Sequence, residues 1–370
     1  MDNRFREYFS CGYRRARERF LRAANDAGAS QSTFENAAVG PDGLAVFTDV
    51  AVLGDPNAPA LMLVNTGTHG VEGFCGSAAA IGWLREEAAS LPANVRVVIV
   101  HAVNPHGFAW VRRVTEDNVD LNRNFLQHGG GYPSKPEYAK LHQALIPAQW
   151  NDKELANNDA LLEAYAKEHG DFALQAAVTG GQYDYADGLF FGGHEAVWSN
   201  RTFQSILDTH VGRPQRMAFL DVHTGLGPYG HASLLGSVAP RMQPWLGARV
   251  LDAKRLRPLP EPSSSARSKG PSLSAPLTGT IGSAARRAAA SAEMTSLTVE
   301  FGTYPVRPVL RALQADNWLH LRGDVDSDLG RAIKAEIKER LYPDDDDWRE
   351  MVWTRSRQLL RNAVNGLGNG

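Results

Sequence analysis

Ala60-Leu-Met-Leu-Val-Asn65-Thr-Gly-Thr-His69-Gly-Val-Glu72-Gly73 is a short apolar run that stops at a glycine-rich turn. An unbroken run of this length, without polar alternation, is the pattern of a strand buried on both faces. A helix is expected over residues 76–89, and a second buried strand, rich in β-branched residues, over 95–103. Strand, turn, helix and strand make a βαβ unit. That unit predicts an α/β fold with a mixed, mostly parallel central sheet flanked by helices. In open α/β sheets the sites lie beyond the carboxyl ends of the strands, so the chemistry is to be sought in such turns.

Outward from this unit, residues 44–53 alternate loosely and read as a strand, and residues 3–24 carry Phe5, Tyr8, Phe9, Tyr13 and Phe20 at roughly helical spacing. Further strands are expected over 217–222, 234–238 and 297–301, and a helix over 203–211. Residues 126–200, helical and polar over 136–169, read as an insertion. Residues 256–286, dominated by Pro, Ser, Arg, Gly and Ala, read as a loop excursion. The C-terminal part, 326–365, is expected to form helices over 326–341 and 345–364. The acidic run Asp344 to Asp347 reads as the cap of the last helix, not as a calcium site.

Of 370 residues, 43% are hydrophobic and 22% charged, enough apolar material for a sizeable core. The formal charge of −2 gives no reason to expect nucleic acid or a membrane surface as partner. Two cysteines, Cys11 and Cys75, are too few for a disulfide framework. With no apolar leader or membrane span in evidence, a cytoplasmic location is expected.

Three apolar strands end in residues able to bind a metal. His69 and Glu72 stand three apart and can share one face of a turn. Alone, such a pair is also what caps a following helix. His223 follows the strand 217–222 and would complete two histidines and one carboxylate, with a fourth position left for water. That is the open arrangement of catalytic zinc. Asp221 is placed to orient a ligand. Glu300 interrupts an apolar run, where an unpaired buried carboxylate would be costly. A carboxylate facing a cleft explains it, and so does one on the solvent side of an edge strand.

A fourth segment joins these: Asn104-Pro-His-Gly107, then Arg112-Arg113, then Asp120-Leu-Asn122-Arg123-Asn124. With it, the chain resembles the M14 metallocarboxypeptidase superfamily over residues 60–305. It is most similar to the bacterial branch described as a domain of unknown function, DUF2817, with Gly180-Gly-Gln182-Tyr183 and Asp187 to Gly193 as branch features. The resemblance implies a single zinc-carboxypeptidase-like domain and one zinc ion held by His69, Glu72 and His223. It makes Glu300 the general base and Arg113 the oxyanion partner, with Arg112 as the fallback. It implies that Asn122 and Arg123 hold the free carboxylate of a peptide or N-acyl amino acid substrate; the alternative for Arg123 is a salt bridge to Asp120 or another acid. Tyr229 and Tyr304 match no family tyrosine clearly, which leaves substrate choice open.

Three activities compete: a carboxypeptidase, a deacylase of N-acyl amino acids with the same chemistry, and a zinc-binding module without turnover. Retention of both Glu300 and Arg113 speaks against the last. A metal cluster on His194 and Glu195 is disfavoured because sequence neighbours point apart. His101, His106, His128 and His210 read as structural or surface residues, and Cys75 as a small core residue.

Overall fold

A computed structural model describes residues 3–246, 250–252 and 277–369. Eight strands form one sheet: β1 (Ser30–Val39), β2 (Ala45–Leu53), β3 (Ala60–Thr66), β4 (Val95–His101), β5 (Arg216–Tyr229), β6 (Ala232–Ser237), β7 (Val250–Asp252) and β8 (Glu293–Gly302). Their order is β1-β2-β4-β3-β5-β8-β6-β7. The four central strands β4, β3, β5 and β8 are parallel to one another, β2 and β6 join them antiparallel, and the sheet is therefore mixed as expected.

Twelve α-helices accompany the sheet: α1 (Tyr13–Asp26), α2 (Gly73–Glu86), α3 (Pro105–Ala109), α4 (Pro136–Leu145), α5 (Asp152–His169), α6 (Asp171–Thr179), α7 (Trp198–His210), α8 (Gln243–Leu246), α9 (Ile281–Ala288), α10 (Val306–Arg322), α11 (Asp328–Leu341) and α12 (Asp346–Gly368). Every residue of β3 and β4 is buried, as an unbroken apolar run requires. The strand period of two sorts the side chains. Met62, Val64, Val97 and Ile99 pack with Phe20, Trp83 and Trp353 of α1, α2 and α12. Leu61, Leu63, Val98 and Val100 pack with Phe203 and Ala284 of α7 and α9 on the other face.

Several expectations need correction. The helix expected over 3–24 is two elements: a 3₁₀ turn (Asn3–Glu7) and α1, separated by an extended Gly12 at φ −154°. The aromatic stripe survives the break, and Phe5, Tyr8, Phe9, Tyr13 and Phe20 are all buried. Of the loop expected over 256–286, residues 281–286 lie in α9, whose Ala-Ala-Arg-Arg-Ala run favours helix; residues 256–276 lie outside the described residues. Strand β1 and helix α10 were not anticipated. Asp345 caps α12, its carboxylate accepting from the Asp347 and Trp348 amides, so the acidic run is a helix start.

Helices α4 to α6 fall inside the stretch read as an insertion. Tyr138, Leu141 and Leu145 there share a small core with Leu313, Ile337 and Leu341 of α10 and α11, and with Val71 and Phe190. Val71 lies between the two candidate ligands of the first turn, so this core backs the site directly. No helix among the described residues is long and apolar enough to cross a membrane.

Beside that core, burial, followed by the Arg112 and Lys334 cations, pushes His320 down to about 3 and His106 to about 4. Both imidazoles are neutral in the folded protein near neutrality. Below the ordinary pKa of about 6.5 the unfolded chain binds protons that the folded chain does not, so stability falls as pH drops from about 6.5 to 4. Over this window each histidine accounts for at most about 3 kcal/mol of the loss. Urea unfolding at neutral pH and at mild acidity should show a steeper loss for wild type than for His320→Gln. Equal slopes would mean that His320 does not titrate as described.

Candidate metal centre

The turn that follows β3 is fixed by its backbone. The amides of Gly70 and Val71 donate to the carbonyls of Arg113 and Arg112 (3.2 and 2.8 Å). A Cβ at Gly70 would fall 2.0 Å from the carbonyl carbon of Gly107, so only glycine allows this approach. Gly107 in turn donates its amide to Asn104 Oδ1 (2.9 Å) at the start of α3. The Asn-Pro-x-Gly turn, the His-x-x-Glu turn and the Arg112–Arg113 segment are thus one hydrogen-bonded unit.

His69 and Glu72 leave this unit towards β5, where His223 stands in register with Glu300 of β8, side chains on the same face. His69 Nδ1 lies 2.9 Å from Glu72 Oε1, His223 Nδ1 lies 3.1 Å from Glu72 Oε2, and the two Nδ1 atoms are 3.2 Å apart. All three side chains are buried, and among the described residues theirs is the one group of donors close enough to hold a metal ion. Zinc–nitrogen bonds of about 2.05 Å at tetrahedral angles would place neighbouring donors about 3.3 Å apart, close to what is seen. Two imidazole nitrogens and a carboxylate oxygen converging this closely fit one divalent cation.

Each ligand is held from behind. His223 Nε2 lies 2.5 Å from Asp221 Oδ2, while Asp221 Oδ1 accepts from Asn65 Nδ2 (2.7 Å) and Thr68 Oγ1 (2.8 Å). The Thr224 amide donates to Glu72 Oε2 (3.0 Å). His69 Nε2 lies 3.3 Å from Asp120 Oδ1 and 2.8 Å from Arg113 Nη2. Such partners fix the tautomer and the direction of a ligating imidazole. Burial alone would raise the Glu72 carboxyl, but the His69 and His223 imidazoles reverse this and hold it low. Burial alone would lower His223, but Asp221 and Glu72 raise it well above the usual imidazole range.

Glu300 is buried beside this group and accepts from the Leu226 amide (3.0 Å). Burial, and then the Glu72 carboxylate, push its pKa up. Arg113 spans the first turn: Nε donates to Asp120 Oδ2 (3.1 Å) and Nη1 to Glu72 Oε1 (3.2 Å). Arg112 points away, with Nε donating to Asp316 Oδ2 (3.1 Å) and Nη2 to Asn118 Oδ1 (3.0 Å). Asn122 Oδ1 accepts from the Ile281 amide at the start of α9 (3.0 Å). Arg123 donates to the carbonyls of Asn122 (3.0 Å) and of Thr179 at the end of α6 (2.7 Å). The buried Arg123 Nε has no partner among the described residues.

Two site residues had no functional role in the sequence reading, where Asp120 entered only as a salt-bridge partner for Arg123. Asp120 touches His69, Arg113 and Arg123, and two flanking cations hold its carboxyl well below the usual range against burial. The Asp-x-Asn-Arg pattern contained it, and only the convergence of three segments reveals the role. Phe190 covers both arginines, its ring centre 5.1 Å from the Arg113 guanidinium carbon and 5.9 Å from that of Arg123. It holds φ at +55°, unusual for an aromatic residue. Tyr229 and Tyr304 donate to Asp345 and Glu339, respectively. Among the described residues, His194 and Glu195 form no metal-competent group.

The family model described as "Protein of unknown function (DUF2817)" matches residues 9–355. The chain belongs to the DUF2817 family. No curated protein matches it. Among solved structures, carboxypeptidase A from Helicoverpa armigera aligns over 97% of this chain and 74% of its own at 14% identity, with a TM-score of 0.51. Bovine thrombin-activatable fibrinolysis inhibitor aligns over 98% of each chain at 10% identity and a TM-score of 0.48. Succinylglutamate desuccinylase from Chromobacterium violaceum aligns over 88% of this chain and 74% of its own at 15% identity and a TM-score of 0.31. The first likeness shows that this DUF2817 member has the carboxypeptidase fold expected from its motifs.

Proposed function

We propose that the protein is a zinc-dependent hydrolase that cleaves an amide bond next to a free carboxylate, in the manner of a carboxypeptidase. One observation carries the reading: two imidazole nitrogens and a carboxylate of buried side chains converge on one point, with a second buried carboxylate, Glu300, on the adjoining strand. A purely structural zinc would close its shell with four protein ligands and would need no base beside it. Bound zinc would supply Lewis acidity and acidify water near neutral pH. Glu300 takes the proton from the attacking water and delivers it to the leaving nitrogen, a task suited to a carboxyl raised by burial. Arg113 offers a guanidinium to the oxygen that gains charge, which requires it to turn from its Asp120 and Glu72 contacts. Asn122 and Arg123 hold the substrate carboxylate, and the unpartnered Arg123 Nε supports this.

The same donor set and arginines also serve a deacylase of small N-acyl amino acids. A mixed library separates the two readings: peptides with free C-termini, the same peptides amidated, and N-acyl amino acids, followed by mass spectrometry. Loss of single residues from free-ended peptides alone is expected. Cleavage of N-acyl amino acids alone would move the protein to the deacylase reading. Cleavage of amidated peptides as readily as of free ones would remove the carboxylate from the proposal.

A further inference from the structure

Away from the metal centre, a cleft of about 500 Å³ opens between the residue 9–11 turn, α1 and α11. Five of its lining side chains are cationic: Arg6, Arg15, Arg19, Lys338 and Arg349. Two are carboxylates, Glu339 and Asp344, in a chain whose formal charge is −2. Three of the cations are already paired. Arg6 meets Asp346 at 2.7 Å, Arg15 meets Glu18 at 2.7 Å, and Arg349 meets both Asp344 and Asp346.

Arg19 and Lys338 have no carboxylate partner among the described residues. Arg19 Nη1 donates to the Phe9 carbonyl (2.5 Å), and Lys338 Nζ donates to the Cys11 carbonyl (2.7 Å). Tyr342 donates to the carbonyl between them, that of Ser10 (3.1 Å). Three consecutive carbonyls are thus pinned by three side chains, which holds the cleft wall and both cations in place. Lys338 also lies 5.0 Å from the centre of the Phe74 ring. Both cations are half-buried, and burial lowers the pKa of each. A cation that has lost water and gained only neutral partners is incompletely compensated. An oxyanion would supply the missing charge through short charge-assisted hydrogen bonds.

We propose that this cleft binds a small, multiply charged anion bearing phosphate or carboxylate groups, at a site separate from the metal centre. Lys338 and Arg19 are its inner cations and Arg15 its outer one. The proposal does not depend on the hydrolase reading, since none of these residues touches the metal ligands.

Cys11 lines the cleft and is exposed, while the other cysteine, Cys75, is buried, so alkylation by neutral iodoacetamide reports the cleft alone. The full-length, metal-loaded protein would be alkylated in inorganic phosphate, in succinate, and in potassium chloride of matched ionic strength. Saturable slowing by phosphate or succinate, but not chloride, is expected, and the more effective ion identifies which group the site takes. Lys338→Met keeps an unbranched side chain of similar length beside Phe74 and removes the charge. It should weaken protection by at least about tenfold, as the loss of one charge-assisted hydrogen bond does. Arg15→Glu, a change at an exposed position, should weaken it too. The proposal fails if neither ion slows alkylation. It also fails if protection is undiminished in both variants.

Discussion

Glu300→Gln is expected to bind zinc as the wild type does and to lose about 10²- to 10⁴-fold in kcat on any substrate that the wild type hydrolyses. Glutamine has the shape of glutamate and can still accept from the Leu226 amide through its carbonyl oxygen, so the local fold has no reason to change. It cannot take a proton from water. Glu300 stands in register with His223 on the neighbouring strand, its carboxyl raised by burial and by Glu72. Metal analysis alongside kinetics decides the meaning of a loss. Reduced kcat with full zinc content identifies the base. Unchanged hydrolysis would remove Glu300 from the mechanism.

His223→Ala should no longer retain zinc through gel filtration. The change removes one of three donors and leaves Asp221 and Glu72 as buried carboxylates without the imidazole between them. Asp221→Asn is the finer test. Asparagine keeps an oxygen for Asn65 and Thr68 but loses the carboxylate that fixes the His223 ring. Zinc affinity should fall by about 10- to 100-fold, as is usual when such a supporting carboxylate is removed. Undiminished zinc in His223→Ala would reject the ligand set, whatever the activity.

The central strands and the site residues were legible because both leave local marks. A strand buried on two faces must be apolar throughout, and β3, β4 and β5 announce themselves in that way. A polar residue at the end of such a strand is conspicuous, which is how His69, Glu72, His223 and Glu300 were found. Strand β1 leaves no such mark. It is an edge strand of mostly polar, mostly exposed residues, and pairing with β2 defines it more than burial does. Helix α10 was hidden by its buried polar residues. Gln314, Asp316 and Asn317 blur the apolar stripe and find their partners far away, at Leu145, Arg112 and Asp187.

The sequence by itself determined the α/β class, the candidate metal-ligating residues and the chemistry that such residue types permit. Apolar runs, glycine turns and ligand spacing are all written within a few residues of one another. Only the tertiary structure decided which nitrogen of each histidine faces the candidate metal position and that Asp120 stands behind His69. It also turned Arg112 away from the site, engaged Asn122 with α9 and placed Phe190 over two arginines. These depend on contacts between segments as far apart as Asn122 and Ile281, 159 positions, or Arg112 and Asp316, 204 positions. A side chain's partners across such distances follow from how the strands and helices stack, and no local pattern records them.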